Sequence, residues 1–579
     1  MDKHYTNNRA VQMLIYLLKA NDIKKVIASP GTTNIEFVGS IENDPYFEIY
    51  SSVDERSAAY IACGLAEESG EPVVLSCTGA TASRNYFPGL TEAYYRQLPV
   101  LAVTSTQPLN RTDCYSSQFI DRTVQPKDSV KLSVQIGQIH TDEDALSINR
   151  LLNQAILELN HRGKGPVHIN LTTGYSKDFS VDTLPTTRVM HRIGYEDLFP
   201  EITAKKVGIY IGSHLPMSER LTKAIDQFCE KFNAVVLCDH NGNYKGRYCI
   251  NGPLLCSQDL YKPECQKADL VIDIGNVSGA EMGFITNEVW RVNPDGVLRD
   301  RFGKLTNTFE MSEEYFFEHY TMMGKSTDTS YYLDWNREVQ HVEEKGENAQ
   351  LPFSNTWIAQ QSISKLPQNS VLYLGVLNSI RNWDYFNLPK NVKCFANTGG
   401  FGIDGMISSV VGASLAAPNI LHFGVLGDLS FFYDMNVVGN RHVGNNLRLL
   451  VINNGHGTEF TNYNHQGSLF GEDAERFIAA GGHFGRKSTD LIRHYAKDLG
   501  YEYYAADNKE DYLSQMEKFF NPKITHSMIF EVFTDAKNES DGIKIMRNLE
   551  HDSKGATKQA VKKILGESGV STLKKILGK

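Results

Sequence analysis

VLGDLSFFYDMN at residues 425–436 and VINN at 451–454 decide how this chain is read. Each is an apolar strand that closes on polar residues, the first on Gly427-Asp428 and the second on Asn453-Asn454. Asp428 offers a carboxylate oxygen and Asn454 a neutral amide oxygen, a donor set suited to a hard divalent cation. The main-chain carbonyl of His456 is a third candidate. Gly427, Leu429 and Ser430 stand where a helix begins, and free N–H groups and the helix dipole at such a start favour diphosphate oxygens. The two stretches together read as a Mg²⁺-bridged diphosphate site.

Outward from that clamp, short apolar strands alternate with helical patterns along the chain, the signature of α/β domains with mainly parallel sheets. Three blocks are expected, at 1–185, 189–325 and 353–550, with LPTTR (184–188) and a polar stretch (325–352) between them. Residues 551–579 form a basic tail in which KKILG occurs at 562–566 and 574–578. That tail reads either as an amphipathic helix touching an anionic membrane or a partner, or as a segment packed or frayed on its own body. The 579 residues carry a net charge of −10 and no basic stripe runs through the body, which argues against nucleic acid as a partner. No apolar run approaches the ~18–20 residues that span a bilayer, and MLIYLL (13–18) reads as part of a helix, so a cytoplasmic protein is expected. The nine cysteines include no C-x-x-C pair and read as reduced thiols.

Far from the clamp, SSVDERSAAYIACGLAEESG (51–70) sets Glu55 between a strand and a helix of small residues. An acid there ordinarily serves the first turn of the helix. Its meaning changes with the company it keeps. SPGTTN (29–34), VDERSAAYIACGLA (53–66), CTGATASRNYFPGLTEA (77–93), GPVHINL (165–171), FGIDGMISS (401–409), GDLSFFYDMN (427–436) and INNGHGTEF (452–460) follow one another in this order. This series resembles the thiamine-diphosphate-dependent 2-oxo acid decarboxylase and carboligase superfamily, and within it the SEPHCHC synthases of menaquinone biosynthesis, which join a decarboxylated 2-oxoglutarate unit to isochorismate.

The resemblance implies three α/β domains (pyrimidine-binding, middle and diphosphate-binding) and the cofactors thiamine diphosphate and Mg²⁺. It implies that Glu55 hydrogen-bonds a ring nitrogen of the aminopyrimidine and so activates the thiazolium carbon. Ile403 would brace the bent cofactor, the Gly402 carbonyl would hold the exocyclic amine, and Asn378 and Ser379 would lie near the diphosphate. Asp428, Asn454 and the His456 carbonyl would be the metal ligands. A homodimer or homotetramer with sites between subunits follows from the same resemblance. GFGIDG (400–405) also fits G-x-G-x-x-G, but a nicotinamide reading leaves Glu55 and Asn454 without a role.

The departures concern the acceptor pocket. Thr33, Gln107 and Thr398 stand where the resemblance places arginines, while Gln118 matches a retained glutamine; Thr32 and Phe460 complete the expected pocket. Arg381 is shifted by about two residues from another family arginine, and Arg84, Arg111 and Arg122 are candidates to compensate. Arginine–carboxylate bonds are charge-assisted and often bidentate, so these losses point to a less anionic acceptor than a dicarboxylate. The expectation is an enzyme that decarboxylates a small 2-oxo acid and passes the carbanion to another acceptor. Simple decarboxylation, SEPHCHC synthesis itself and an inactive cofactor-binding scaffold are the alternatives. Glu459, at an apolar family position, is expected in a partly dry pocket with a raised pKa and a proton-shuttling role.

Overall fold

The computed structural model describes residues 4–324, 328–484 and 487–552. The basic tail beyond Asp552 lies outside the described residues. Two compact units are present: the chain up to Leu198 together with Asp295–Glu310, and Phe199–Pro294 together with the described residues from Met311 onward. Ion pairs tie Asp295–Glu310 into the first unit: Glu310 meets His161 at 2.8 Å and Arg162 at 2.6 Å, and Arg188 meets Asp300 at 2.8 Å.

Three mainly parallel sheets flanked by helices give the three α/β domains expected from the sequence. The first sheet runs Glu48–Ser51, Lys25–Ala28, Val73–Thr78, Val100–Thr106, Val167–Thr172, Leu132–Ile136 across its width. Every residue of Val100–Thr106 and Val167–Thr172 is buried, as expected for central parallel strands covered on both faces. The MLIYLL stretch falls within the helix Arg9–Ala20, whose Leu14, Leu17 and Leu18 pack with Val26, Val74 and Leu101 of the sheet. Asn8 starts this helix by accepting from the Ala10 and Val11 amides.

In the second unit one sheet carries Cys249–Asn251, Ala234–Cys238, Val207–Ile211, Leu270–Ile274 and Val289–Val292 in that order. The other runs Lys393–Phe395, Val371–Leu374, His422–Gly427, Leu447–Asn453, Met528–Phe533, Glu502–Ala506. Numbered in chain order, the six strands of this last sheet and the six of the first sheet have the same arrangement, 2-1-3-4-6-5. In both, the order reverses between the first and third strands, and a crevice for ligands opens outside the carboxyl ends of the strands at such a point. In the first sheet the reversal lies beside Pro30-Gly31 and Gly79; in the last it lies beside Gly375 and Gly427. No helix among the described residues is long and apolar enough to cross a membrane.

Candidate active site

The strands His422–Gly427 and Leu447–Asn453 pair in parallel with Gly427 opposite Ile452, so the loops that follow leave the sheet side by side. The amides of Asn454 and Gly455, with its own amide and that of Leu429, face the Asp428 carboxylate and favour its charged form. Gly455 makes this turn at φ +76°, a conformation that favours glycine. Asp428 is only 2 % exposed, and burial pushes its carboxyl up to about 7 despite those four donors. The Asn454 amide donates to the Thr458 hydroxyl at 3.4 Å, while its buried Oδ1 has no hydrogen-bond partner among the described residues. A buried amide oxygen without a partner is costly unless something else completes it. The His456 ring is turned away to Glu475, 3.0 Å from Nδ1.

These groups line a cavity of about 370 Å³ that also receives Gly427, Leu429, Ser430 and Ile403 from one side. Asn378, Ser379, Glu459 and Phe460 complete it from the other. The Ser430 hydroxyl donates to the Ile403 carbonyl at 2.5 Å, fastening the 401–405 loop to the helix that begins at Asp428. Gly402 belongs to that loop, where a Cβ would meet the Asp404 carboxylate at 2.3 Å. Leu377 reaches φ +69° just before the helix Asn378–Trp383, which brings Asn378 and Ser379 to the cavity. With its amide oriented to satisfy both ends, Asn378 donates to Glu459 Oε2 at 2.7 Å and accepts from the Thr458 hydroxyl at 2.8 Å.

The first unit presents Glu55 at the start of the helix Glu55–Ser69. Asp54 caps that helix, accepting from Arg56 N–H at 2.9 Å and Ser57 N–H at 3.5 Å. The Glu55 carboxylate is thereby released from capping and, among the described residues, meets only a long bond from the Asn85 amide, 3.5 Å. A carboxylate set on a capped helix beside open surface is suited to accept a ligand's N–H.

A family model for the thiamine pyrophosphate enzyme N-terminal TPP binding domain matches residues 8–130, the stretch that holds Glu55. A 2-succinyl-5-enolpyruvyl-6-hydroxy-3-cyclohexene-1-carboxylate synthase (SEPHCHC synthase) from Bacteroides fragilis is 31% identical over 574 residues, 95% of this chain and 100% of the relative. This chain belongs to the SEPHCHC synthase family. A synthase of the same name from Phocaeicola vulgatus is 30% identical over 93% of this chain, and one from Flavobacterium johnsoniae 26% identical over 92%. The chain is thus a thiamine diphosphate-dependent enzyme, and the cavity at Asp428 suits that cofactor: it has the size of a small-molecule site and ends in buried oxygen donors.

Against the SEPHCHC synthase pattern, the substituted pocket residues are already engaged. The Thr33 hydroxyl turns inward to the Thr78 hydroxyl and to the Ser105 carbonyl at 2.8 Å, and the side chain is 6 % exposed. Gln107 hydrogen-bonds the Tyr175 hydroxyl. Thr398 is buried and sets its methyl 3.3 Å from where a Cβ on Gly279 would stand. Thr32 and Gln118 are exposed, Gln118 at φ +66°.

Glu459 does not stand alone: the Arg381 guanidinium forms an ion pair with its carboxylate, which is 14 % exposed. Arg381 comes from the helix Asn378–Trp383 and Glu459 from a 3₁₀ turn 78 residues away in sequence, a meeting no local pattern announces. A second cavity of about 440 Å³ adjoins the first and is lined by Arg381, Glu459, Phe460, His465 and Arg547.

One further residue escaped the sequence reading, and one of its candidate arginines finds a definite place. Glu539 lines the 370 Å³ cavity, 1 % exposed, with Oε1 accepting from Asn355 N–H (3.0 Å) and the Thr534 hydroxyl (2.6 Å) and Oε2 unpartnered among the described residues. Burial pushes its carboxyl up to about 7. Arg122 in the first unit is 2 % exposed, and its Nε and Nη1 have no partner among the described residues. It lies against Gly79, where a Cβ would come within 2.5 Å of Nη1, at the reversal point of the first sheet. Desolvation lowers it to about 10. Glu539 carries no sequence signal; Arg122 shows only as one arginine among several in its loop.

Proposed function

We propose that this enzyme requires Mg²⁺ with thiamine diphosphate, decarboxylates a small 2-oxo acid and joins the remaining carbon unit to an acceptor carbonyl. The observation that carries the reading is the Asp428–Asn454 arrangement, a buried carboxylate faced by the neighbouring loop's amides beside a buried amide oxygen with no partner among the described residues. Asp428 Oδ, Asn454 Oδ1 and the His456 carbonyl are the protein oxygens that would hold the cation, leaving its other positions to diphosphate and water. When bound, thiamine diphosphate supplies the electron sink for loss of carbon dioxide and for carbon–carbon bond formation. Ile403 would brace the cofactor, and the Ser430 bond to the Ile403 carbonyl holds that brace in place. Ser379, Gly427 and Leu429 would line the diphosphate, and the Gly402 carbonyl would accept from the aminopyrimidine. Glu55 would hydrogen-bond a ring nitrogen of the aminopyrimidine and hold or give up a proton there. Arg122 supplies the positive charge for a carboxylate of the substrate.

The assembly is read as a homodimer or homotetramer with each site shared between subunits. Support comes from the helix that begins at Glu55: Val53, Tyr60 and Ile61 beside it are 80 %, 48 % and 49 % exposed, an apolar face suited to a second copy.

The names of the relatives favour a second reading, the cyclohexene-carboxylate synthesis itself, from 2-oxoglutarate and isochorismate. Inward-turned Thr33, Gln107 bonded to Tyr175 and Thr398 packed near Gly279 weigh against it. The test is a panel of pyruvate and 2-oxoglutarate, each with Mg²⁺ and cofactor, with and without isochorismate and other carbonyl acceptors. Carbon dioxide release that needs an acceptor, and stops with a chelator, supports carboligation; release without any acceptor supports simple decarboxylation. No release from either acid under any condition would overturn the proposal.

A further inference from the structure

Away from the cofactor cavity, two cysteines meet at the edge of the second sheet. Cys238 ends the strand Ala234–Cys238, and Cys249 begins the neighbouring parallel strand Cys249–Asn251, with Asn251 opposite Cys238. Their sulfurs are 3.2 Å apart. A disulfide needs about 2.05 Å, so closing the gap takes a movement of roughly 1 Å, within reach of side-chain adjustment. The pair is also reachable: a cavity of about 230 Å³ is lined by both cysteines together with Lys245 and Lys390. Six of the other seven cysteines are buried, and Cys114 is exposed.

The surroundings divide the two sulfurs into an attacking and a resolving group. The hydrogen bond from the Cys238 thiol, followed by the Lys245 and Lys390 cations, lowers Cys249 from the ordinary thiol value. Burial and Asp226 act in the opposite sense. Cys238 is pushed up, by its bond to Cys249 and then by burial, with Asp239 adding to the rise and Lys245 opposing it. Thiolate character and access decide which cysteines oxidise.

We propose that Cys238 and Cys249 form an oxidisable dithiol that a small peroxide entering the Lys245–Lys390 cavity converts into a disulfide. The Cys249 sulfur attacks one peroxide oxygen, the O–O bond breaks, and the leaving oxygen departs as water after protonation. The resulting sulfenic acid is attacked by the Cys238 sulfur; the S–S bond forms, the S–O bond breaks, and a second water carries away the Cys238 proton. Two thiols lose two electrons and one hydrogen peroxide becomes two waters. The site is independent of the cofactor reading.

The experiment uses the full chain carrying Cys114→Ser, which removes the exposed thiol. The protein is treated with a few equivalents of hydrogen peroxide, alkylated, and digested with trypsin without reduction. The expected product joins the peptides 232–245 and 248–267 at a mass about 2 Da below their sum, and dithiothreitol separates them. Fragmentation assigns the bridge to Cys249 rather than Cys256 or Cys265, which share its peptide. With Cys238→Ser, Cys249 should stop at a sulfenic acid that dimedone labels. Peptides that stay separate with Cys238 fully alkylated, or a bridge from Cys238 to any cysteine other than Cys249, would overturn the proposal. The unsubstituted pair carries this readout, so it does not depend on whether the serine variants fold.

Discussion

Arg381 and Glu459 are ion-paired where the two adjoining cavities share a wall, with side chains 30 % and 14 % exposed. Each limits what the other can do. The arginine is not free to bind a substrate carboxylate while Glu459 holds it, and the glutamate sits beside a positive charge. The pair is expected to be coupled by about 1 kcal/mol, the upper part of the range for partly exposed pairs. Urea unfolding of Arg381→Ala, Glu459→Ala and the double variant measures it, and strictly additive losses would show that the pair contributes nothing. If Glu459 also moves a proton in turnover, Glu459→Gln lowers kcat with KM held; a change confined to KM would assign it to positioning alone.

Asp54 and Glu55 are adjacent but should separate cleanly. Asp54→Ala removes the helix cap and is expected to lower the melting temperature while leaving turnover largely intact. Glu55→Gln leaves the cap in place and should lose roughly 10²–10⁴-fold in turnover, with unfolding unchanged. Parallel measurements of melting temperature and carbon dioxide release on the two variants check this. A Glu55→Gln enzyme with undiminished turnover would sink the role given to that carboxylate.

The same contrast explains what was legible in the sequence. The strand ends at Gly427-Asp428 and Asn453-Asn454 are local features, so their residues and the parallel blocks around them could be read directly. The matching 2-1-3-4-6-5 order of two sheets could not, because strand order depends on which distant strands pair. Thr33 reads as a pocket residue beside SPG, yet its hydroxyl finds Thr78 and the Ser105 carbonyl 72 residues on. Glu539 reaches the cavity by bonding Asn355, 184 residues away. Such side chains are placed by tertiary packing, and no spacing rule in the chain marks them.

Glu539 should reveal itself through pH. Its carboxyl, at about 7 in the folded protein against an ordinary 4.5, keeps its proton while the unfolded chain ionises. Folding stability is therefore full below about pH 4.5, falls as pH rises toward 7, and is level above that. The loss is at most on the order of 3 kcal/mol. Glu539→Gln keeps a neutral group in the same place and should remove this slope, so the variant becomes more stable than the parent at pH 8 and similar to it near pH 4. The parent-minus-variant difference in urea unfolding across that window is the measurement; a difference that does not vary with pH would exclude the raised carboxyl. Asp535 adds to the rise and remains in both proteins.

Arg122 is expected to trade stability for binding. A guanidinium buried with Nε and Nη1 unpartnered among the described residues carries a desolvation cost that none of their carboxylates offsets. Replacing it by methionine, which is similar in length and uncharged, should stabilise the free protein by about 1–3 kcal/mol in urea unfolding. The same change should raise KM for an acidic 2-oxo acid by roughly 10–100-fold, the value of a charge-assisted hydrogen bond of about 1.5–3 kcal/mol, without altering the Kd of thiamine diphosphate. Arg122→Lys keeps the charge but not the fork and should fall between the two. If the methionine variant is destabilised and its KM is unchanged, Arg122 is a packing residue of the first sheet. A stabilised variant with a weakened KM places the substrate's negative charge beside Gly79, at the reversal point of that sheet.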